Sequence, residues 1–553
     1  MIRFVLALVL ACIALVSPLA QSRAALGSVV FPNSGSAAAQ ADFLRGVAWL
    51  HSFGYEDAID AFRTAQKIDP SFALAYWGEA MSFSQPLWFY EEVPQGRAAL
   101  VKLGPNPEAR IAKAKTPREQ AFMRAVEVLF GPGDKAARHA AYAREMATLA
   151  LAHAADDEAQ AFYALALLAT MPRGDAALPL RKQAGAIAET VFARSPDHPG
   201  AAHYILHAYD HGSLVARALP AARVYAKIAP AASHALHMPA HAFLQVGFWD
   251  EAAASDEASW NASIAWAKRR GLSIASRDYH SLAWLQYEWM QQGRFSKTKE
   301  AIAVVDQARS AVAAQSPAAL AGQRAAGITP QHAGGHGYGE QSEIGRGSGD
   351  SALRNDRGSM RARYIVESER WHEMKGQTTF DNIEELFALG LSAINLGDAK
   401  RVRVVIDEFR KASAPGQPPE LREQAEIMLR EMEALDLFAQ GRHVEALALM
   451  DRAASLQARM PRPIGRPFPV KDVNELYGEL LLQLNRPGEA VTRFDRVLAR
   501  TPNRSRALLG LARAYRNAGD TTNARAAYKR FLTNYRQADA GLPEVAEARD
   551  AVK

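Results

Sequence analysis

PDHPGAAHYILHAYDHGSLVARALPAARVYAKIAPAASHALHMPAHAFLQVGFWDEA, residues 196–252, is the stretch that decides the fold. Shifted by 34 residues against itself, it pairs His203 with His237 and His207 with His241. The same shift pairs Pro196 with Pro230 and Ala218 with Ala252. The repeat therefore includes histidines as well as the residues that helix packing requires.

A 34-residue period is the length of a tetratricopeptide repeat, a pair of antiparallel helices that stacks on its neighbours to bury its apolar side. Residues 39–72 carry the signature positions of that family, namely Gly46, Trp49, Ala58, Phe62, Ala65 and Pro70. The chain thus resembles tetratricopeptide proteins. The resemblance implies an all-α solenoid of stacked antiparallel helix pairs, with a groove lined by the first helix of each repeat and suited to an extended peptide.

Composition and spacing divide the predicted solenoid into two arrays. We expect an N-terminal array over residues 25–308 and a C-terminal array over residues 361–553, which ends in a polar capping helix. Between them, residues 309–360 are rich in glycine and serine and predict a flexible insertion. His332 and His336 lie in this segment, and we assign them no role.

Several motifs also resemble a family of exported bacterial tetratricopeptide proteins whose function is not established. They are YWGEAM at residues 76–81, the HYILHAYD and HALHMPAH segments, and the loop PFPVKDVNELYGELLL. This resemblance implies the fold and supplies no reaction.

The candidate site consists of histidines from two successive repeats. Residues three, four and seven apart share one face of a helix. We therefore predict two neighbouring stripes, one of His203, His207, Asp210 and His211 and the other of His234, His237 and His241. His280, near the start of a later first helix, would extend them. If the second helix instead begins at Pro239, then His234 and His237 lie on a loop.

Two imidazoles one turn apart can bind one metal ion, and histidine suits divalent transition metals. The predicted metal ligands are His203, His207, His237 and His241. Other predicted ligand-binding residues are His211, Asp210, His234, His280, Trp77 and Glu79, with Asp210 or Glu79 as the carboxylate and Trp77 more typical of a core. HYILH lacks the glutamate of HExxH hydrolases, and nucleophile-elbow, phosphate-loop and dinucleotide motifs are absent from the sequence.

Three interpretations of the histidines follow. They line a concave groove that binds a protein or peptide partner, they hold a metal or a small anion, or they only pack the repeats. We favour a scaffold for a protein partner over an enzyme, with a histidine-ligated metalloprotein of hydrolytic or redox activity as the alternative.

Residues 1–24 predict a secretory signal peptide, with a basic start at Arg3, an apolar run and a cleavage point after Ala24 or Ala20. A membrane anchor is disfavoured, because the run is shorter than the roughly 20 residues that span a bilayer. A lipoprotein signal at Cys12 is disfavoured too, because the apolar run continues beyond it. We expect an exported, periplasmic protein without stable membrane insertion.

Charge and cysteine content exclude several classes of function. Cys12 is the only cysteine, so a cleaved chain has no disulfide and no thiolate ligand. The formal net charge of +6 is small for 553 residues, and the charges are interspersed. A nucleic-acid partner is therefore not expected.

Overall fold

The computed structural model describes residues 25–88, 90–172, 174–314, 349–462 and 464–553. In this part of the chain, 25 α-helices provide nearly all of the regular structure. One short antiparallel hairpin, β1 (Ser84–Gln85) with β2 (Tyr90–Glu91), is also present. The predicted all-α fold of stacked helix pairs is confirmed.

The chain divides into two compact units. The described part of unit 1 is residues 25–210 and 216–239, and unit 2 is residues 211–215 and 240–553. The described residues on both sides of the predicted insertion at 309–360 belong to unit 2. The helices before that segment pack with those after it; Tyr287, for example, contacts Arg504.

Ten helices lie wholly in unit 1, and the division falls at the start of α11 and within α12. The helices are α1 (Gln40–His51), α2 (Tyr55–Ile68), α3 (Ala73–Met81), α4 (Val93–Val101), α5 (Pro107–Ala112), α6 (Pro117–Leu129), α7 (Lys135–Ala152), α8 (Asp157–Ala169), α9 (Leu178–Arg194), α10 (Pro199–Tyr209), α11 (Val215–Ile228) and α12 (Ser233–Val246).

Thirteen further helices lie in unit 2. They are α13 (Trp249–Arg269), α14 (Tyr279–Gln291), α15 (Phe295–Ala313), α16 (Gly349–Ser368), α17 (Ile383–Asn395), α18 (Ala399–Ala412), α19 (Pro419–Ala439), α20 (His443–Arg459), α21 (Val473–Gln483), α22 (Pro487–Arg500), α23 (Ser505–Asn517), α24 (Thr521–Asn534) and α25 (Pro543–Val552).

A glycine–phenylalanine–glycine contact joins successive repeats in unit 1. Phe62 of α2 lies between Gly46 of α1 and Gly78 of α3. A Cβ atom would stand 2.8 Å from the ring at Gly46 and 2.3 Å at Gly78. Only glycine lets all three helices approach the ring this closely.

The same contact recurs in unit 2. Phe494 of α22 lies between Gly478 of α21 and Gly510 of α23, where a Cβ atom would stand 2.8 Å and 2.3 Å from the ring. The order and spacing along the chain match those of the first instance. Equal spacing and equal packing identify the two segments as copies of one structural repeat.

Gly510→Ala is expected to lower the free energy of unfolding by about 1–3 kcal/mol, because the new methyl group overlaps a fully buried ring. Gly488→Ala is the matched control, since a Cβ atom there would meet nothing within 4 Å. The control should be neutral or stabilising by up to about 1 kcal/mol. Urea unfolding that finds Gly510→Ala as stable as Gly488→Ala would contradict the packing.

Pro239 lies inside α12. The helix begins at Ser233, so the alternative in which it starts at Pro239 is wrong. A proline within a helix loses one backbone hydrogen bond. Three histidines, at 234, 237 and 241, therefore share this helix.

The predicted insertion at 309–360 is too long at both ends. Helix α15 continues to Ala313 and α16 begins at Gly349. The buried Leu353 and Met360 give α16 an apolar face that its glycines and charges obscure in the sequence. Residues 315–348, with both histidines of that segment, lie outside the described residues, as does the predicted signal peptide.

The predicted capping helix is present as α25, with Val545 and Ala548 buried. None of the helices in the described ranges is both long enough and apolar enough to cross a membrane.

Candidate histidine site

Helix α10 carries the first part of the site. Pro199 occupies its first turn, where a missing N–H is tolerated, and the side chain of His198 caps it by accepting a hydrogen bond from the Ala201 N–H. All eleven residues of the helix are buried. His203 and His207 therefore point into the interior of unit 1 from successive turns.

Helix α12 supplies a third histidine. The Nε2 atoms of His234 and His203 are 2.9 Å apart. One ring nitrogen from each of His203, His207 and His234 lies within 4.8 Å of the others, and we call these residues the three-histidine cluster. Their exposed fractions are 0%, 7% and 3%. The cluster is close enough to share one ion and is almost closed to solvent.

Aromatic rings enclose the three-histidine cluster. The ring of Phe53 stacks on His234 at a centroid distance of 5.3 Å and on His207 at 5.6 Å. Tyr225 stacks on His203 at 5.2 Å, and the edge of Trp88 meets His234 at 5.3 Å. These rings give the imidazoles an apolar environment.

The backbone at Phe53 is strained. Its φ is +57°, a left-handed conformation that costs non-glycine residues about 1–3 kcal/mol. The surrounding packing must hold it there. In this backbone conformation, the ring of Phe53 contacts all three histidines.

A second group, which we call the glutamate cluster, consists of His51, Glu158 and His198. Glu158 accepts hydrogen bonds from His51 Nε2 at 2.7 Å and from His198 Nε2 at 3.2 Å. The Tyr204 hydroxyl donates to His51 Nδ1 at 2.9 Å. All of these side chains are at most 2% exposed.

The charge of the glutamate cluster resides on the carboxylate. Burial raises the pKa of Glu158, but the two imidazoles and their N–H donors outweigh it and lower the pKa to about 2. Burial lowers the pKa of His51, although Glu158 opposes this. Glu158 therefore carries the negative charge of the cluster.

One backbone atom connects the two clusters. His203 Nδ1 lies 2.6 Å from the carbonyl oxygen of His51, which can only accept a hydrogen bond. The glutamate cluster holds the ring of His51, and the carbonyl of His51 orients His203. This support is not visible in the sequence, because His51 and Glu158 are 107 residues apart and show no periodic signal.

The predicted metal ligands come together only in part. His203 and His207 meet His234, whereas His237 lies beside His234 at a ring distance of 6.2 Å. The contact joins His203 to His234, the residue one turn before its repeat equivalent. His241 belongs to unit 2.

In unit 2, the rings of His241 and His280 stack with their centroids 6.4 Å apart. The centroid of the Trp284 ring lies 4.3 Å from that of His241 and 5.3 Å from that of His280. His211 also belongs to this unit, and its Nδ1 is 2.9 Å from the hydroxyl of Ser213. Helix α10 ends at Tyr209, so the predicted extension of its stripe through Asp210 to His211 is wrong.

Trp77 and Glu79 have structural contacts. Trp77 is fully buried among Phe31, Phe122 and Phe162. Glu79 accepts hydrogen bonds from Arg63, Gln66 and Lys102. Burial raises the pKa of Glu79, but these donors outweigh that effect and hold it below the usual value. In the described ranges, neither Glu79 nor Asp210 belongs to a potential metal-binding group.

Residues 478–539 match the family model of the tetratricopeptide repeat. This range covers Gly478, Gly510 and the helices α22, α23 and α24, which include the second glycine–phenylalanine–glycine contact. The chain is a tetratricopeptide repeat protein.

Solved structures of low similarity to this tetratricopeptide protein include the yeast Tom70, with a TM-score of 0.32 and 12% identity over 93% of this chain and 95% of that one. A human IFIT1 dimer with m7Gppp-AAAA has a TM-score of 0.31 and 11% identity over 94% of this chain and 92% of that one. The Cut9–Hcn1 hetero-tetramer of the APC/C has a TM-score of 0.29 and 11% identity over 95% of this chain and 79% of that one. Likenesses this weak do not bear on function. Searching the curated proteins yields no match.

Inner helices of this tetratricopeptide protein are enclosed on all sides. Every residue of α3 and α10 in unit 1, and of α14 in unit 2, is buried. The predicted open groove lined by His203 and His207 is therefore wrong. An extended peptide has no access to these side chains, which are at most 7% exposed.

Proposed function

We propose that the protein is an exported scaffold that binds an acidic segment of a protein partner on its C-terminal repeats. Tetratricopeptide arrays bind by presenting an extended surface built from successive hairpins. Because the inner helices named above are enclosed, we place the binding surface on an outer helix.

The observation that carries this proposal is the exposed face of α24. Arg525, Lys529 and Arg530 are all exposed there, and none forms an ion pair within 4 Å with a described residue. Arg525 and Lys529 are four residues apart and share a face. Arg525 and Lys529 therefore favour a partner that supplies carboxylates.

Charge reversal tests this surface. A photo-reactive residue at the exposed Ala526 should cross-link one discrete protein in the exporting cell, and adding Arg525→Glu with Lys529→Glu should abolish that product. Lys400→Glu with Arg403→Glu, on exposed positions of α18, makes the same charge change elsewhere and should preserve it. The proposed surface would be refuted if the cross-linked product survived the Arg525→Glu and Lys529→Glu substitutions. It would also be refuted if the substitutions on α18 abolished the product equally.

The export proposal rests on residues 1–24 and has its own check. Amino-terminal sequencing of the protein recovered from the periplasm should begin at Ala25, or at Gln21 if cleavage follows Ala20. A cytoplasmic protein that retains Met1 would contradict it.

A further inference from the structure

We propose that His203, His207 and His234 bind one divalent transition-metal ion in the interior of unit 1. These three imidazoles converge from two successive repeats, and their ligand nitrogens lie within 4.8 Å of one another. The proposal goes beyond the scaffold function, and it differs from the sequence prediction in having His234 as the third ligand.

The protonation of His203 suits a metal ligand. Its Nδ1 must carry the proton, because that atom donates to the backbone carbonyl of His51 at 2.6 Å. Its Nε2 therefore presents a lone pair toward His234. A second-shell hydrogen bond from one ring nitrogen to a carbonyl is the usual way in which proteins orient a metal-bound histidine.

The nitrogen–nitrogen distance also suits a metal. Without an ion, the 2.9 Å contact requires a proton between His203 Nε2 and His234 Nε2. Zinc–imidazole bonds of about 2.0–2.1 Å in tetrahedral geometry place two ligand nitrogens about 3.3 Å apart. A movement of a few tenths of an ångström, together with a change of tautomer that places the His234 proton on Nδ1 instead of Nε2, would thus convert the hydrogen bond into two metal bonds.

The surroundings favour a bound ion over a solvated one. Phe53, Trp88 and Tyr225 exclude water from the ring faces. Neutral imidazole is the nitrogen donor that zinc, copper and nickel accept. Three protein ligands leave one tetrahedral position for water or a small anion.

The glutamate cluster is the competing site within unit 1. Its ligand atoms also lie within 4.8 Å of one another. However, each carboxylate oxygen and each imidazole nitrogen of this cluster already has a protein partner. A metal would have to break that network. We therefore assign the glutamate cluster a supporting role and the ion to the three-histidine cluster.

The test uses the full, untagged protein, stripped of metal and then incubated separately with Zn²⁺, Co²⁺ and Cu²⁺. One equivalent per chain should be retained after desalting. His207→Ala and His234→Ala should each weaken binding by at least about 100-fold, since each removes a ligand. His139→Asn changes a buried histidine that contacts Glu91 instead, and it should bind as the parent does.

A thiolate separates a lost ligand from a lost fold. His207→Cys should keep Co²⁺ and gain a sulfur-to-cobalt charge-transfer absorption that the parent lacks. Circular dichroism should show the same helix content for all variants. The proposal is overturned by a folded parent that retains no metal, by metal retained in both alanine variants, or by metal lost on His198→Gln alone, which would place the ion in the glutamate cluster.

Discussion

Replacing Arg504 by methionine is expected to lower the free energy of unfolding of unit 2 by about 3–5 kcal/mol. Arg504 donates to Glu475 at 2.6 Å and forms an ion pair with Glu367 at 2.7 Å. All three side chains are at most 2% exposed. Methionine preserves much of the volume but leaves two buried carboxylates without their main cation.

The matched control is Arg430→Met, which removes an arginine paired with Glu426 and Glu433. Arg430 is 29% exposed, so water can solvate the carboxylates. The free energy of unfolding should therefore fall by less than about 1 kcal/mol. Hydrogen exchange of α21 and α23, together with the urea midpoint, measures both effects. Equal losses for the two variants would show that the Arg504 network contributes no more than a surface pair.

Acidification is expected to destabilise unit 1 through Glu158. Its pKa is about 2 in the folded protein and 4.5 in the unfolded chain. A carboxyl group with a lowered folded pKa contributes stability that is complete above pH 5 and is lost as the pH falls toward 2. The difference corresponds to about 3 kcal/mol.

Glu158→Gln should remove this pH dependence and destabilise unit 1 at neutral pH by about 3 kcal/mol. His198 accepts the Ala201 N–H through Nδ1, so its Nε2 must donate, and a glutamine amide group cannot accept from both histidines. Hydrogen exchange in α8 and α10 between pH 7 and pH 3 checks the slope. Parallel profiles for the parent and Glu158→Gln would contradict the assignment of the charge to Glu158.

The sequence predicted the helical repeats well because periodicity reports on packing. Gly46 and Phe62 were recognisable from spacing alone, since a repeat requires a small residue opposite a large one. Helix α16 was missed because its glycines conceal the face formed by Leu353 and Met360. Helix α12 includes a proline, which local preferences alone would place at its first turn.

The candidate site was predictable only within a single helix. His203 and His207 lie one turn apart, and the structure keeps them together. The third histidine depends on which turns of neighbouring repeats meet, and a 34-residue shift cannot reveal this. The structure therefore brings His234, and not the predicted His237, to His203 and His207. The contribution of His51 arises from a contact between distant parts of the chain.

X-ray absorption spectroscopy of the zinc-loaded full chain tests the convergence of the three histidines most directly. The account predicts three imidazole nitrogens at about 2.0–2.1 Å, with one further light atom completing the tetrahedron. His234→Ala should reduce the imidazole count to two. A first shell made of carboxylate or water oxygens, or an imidazole count that His234→Ala leaves unchanged, would contradict it.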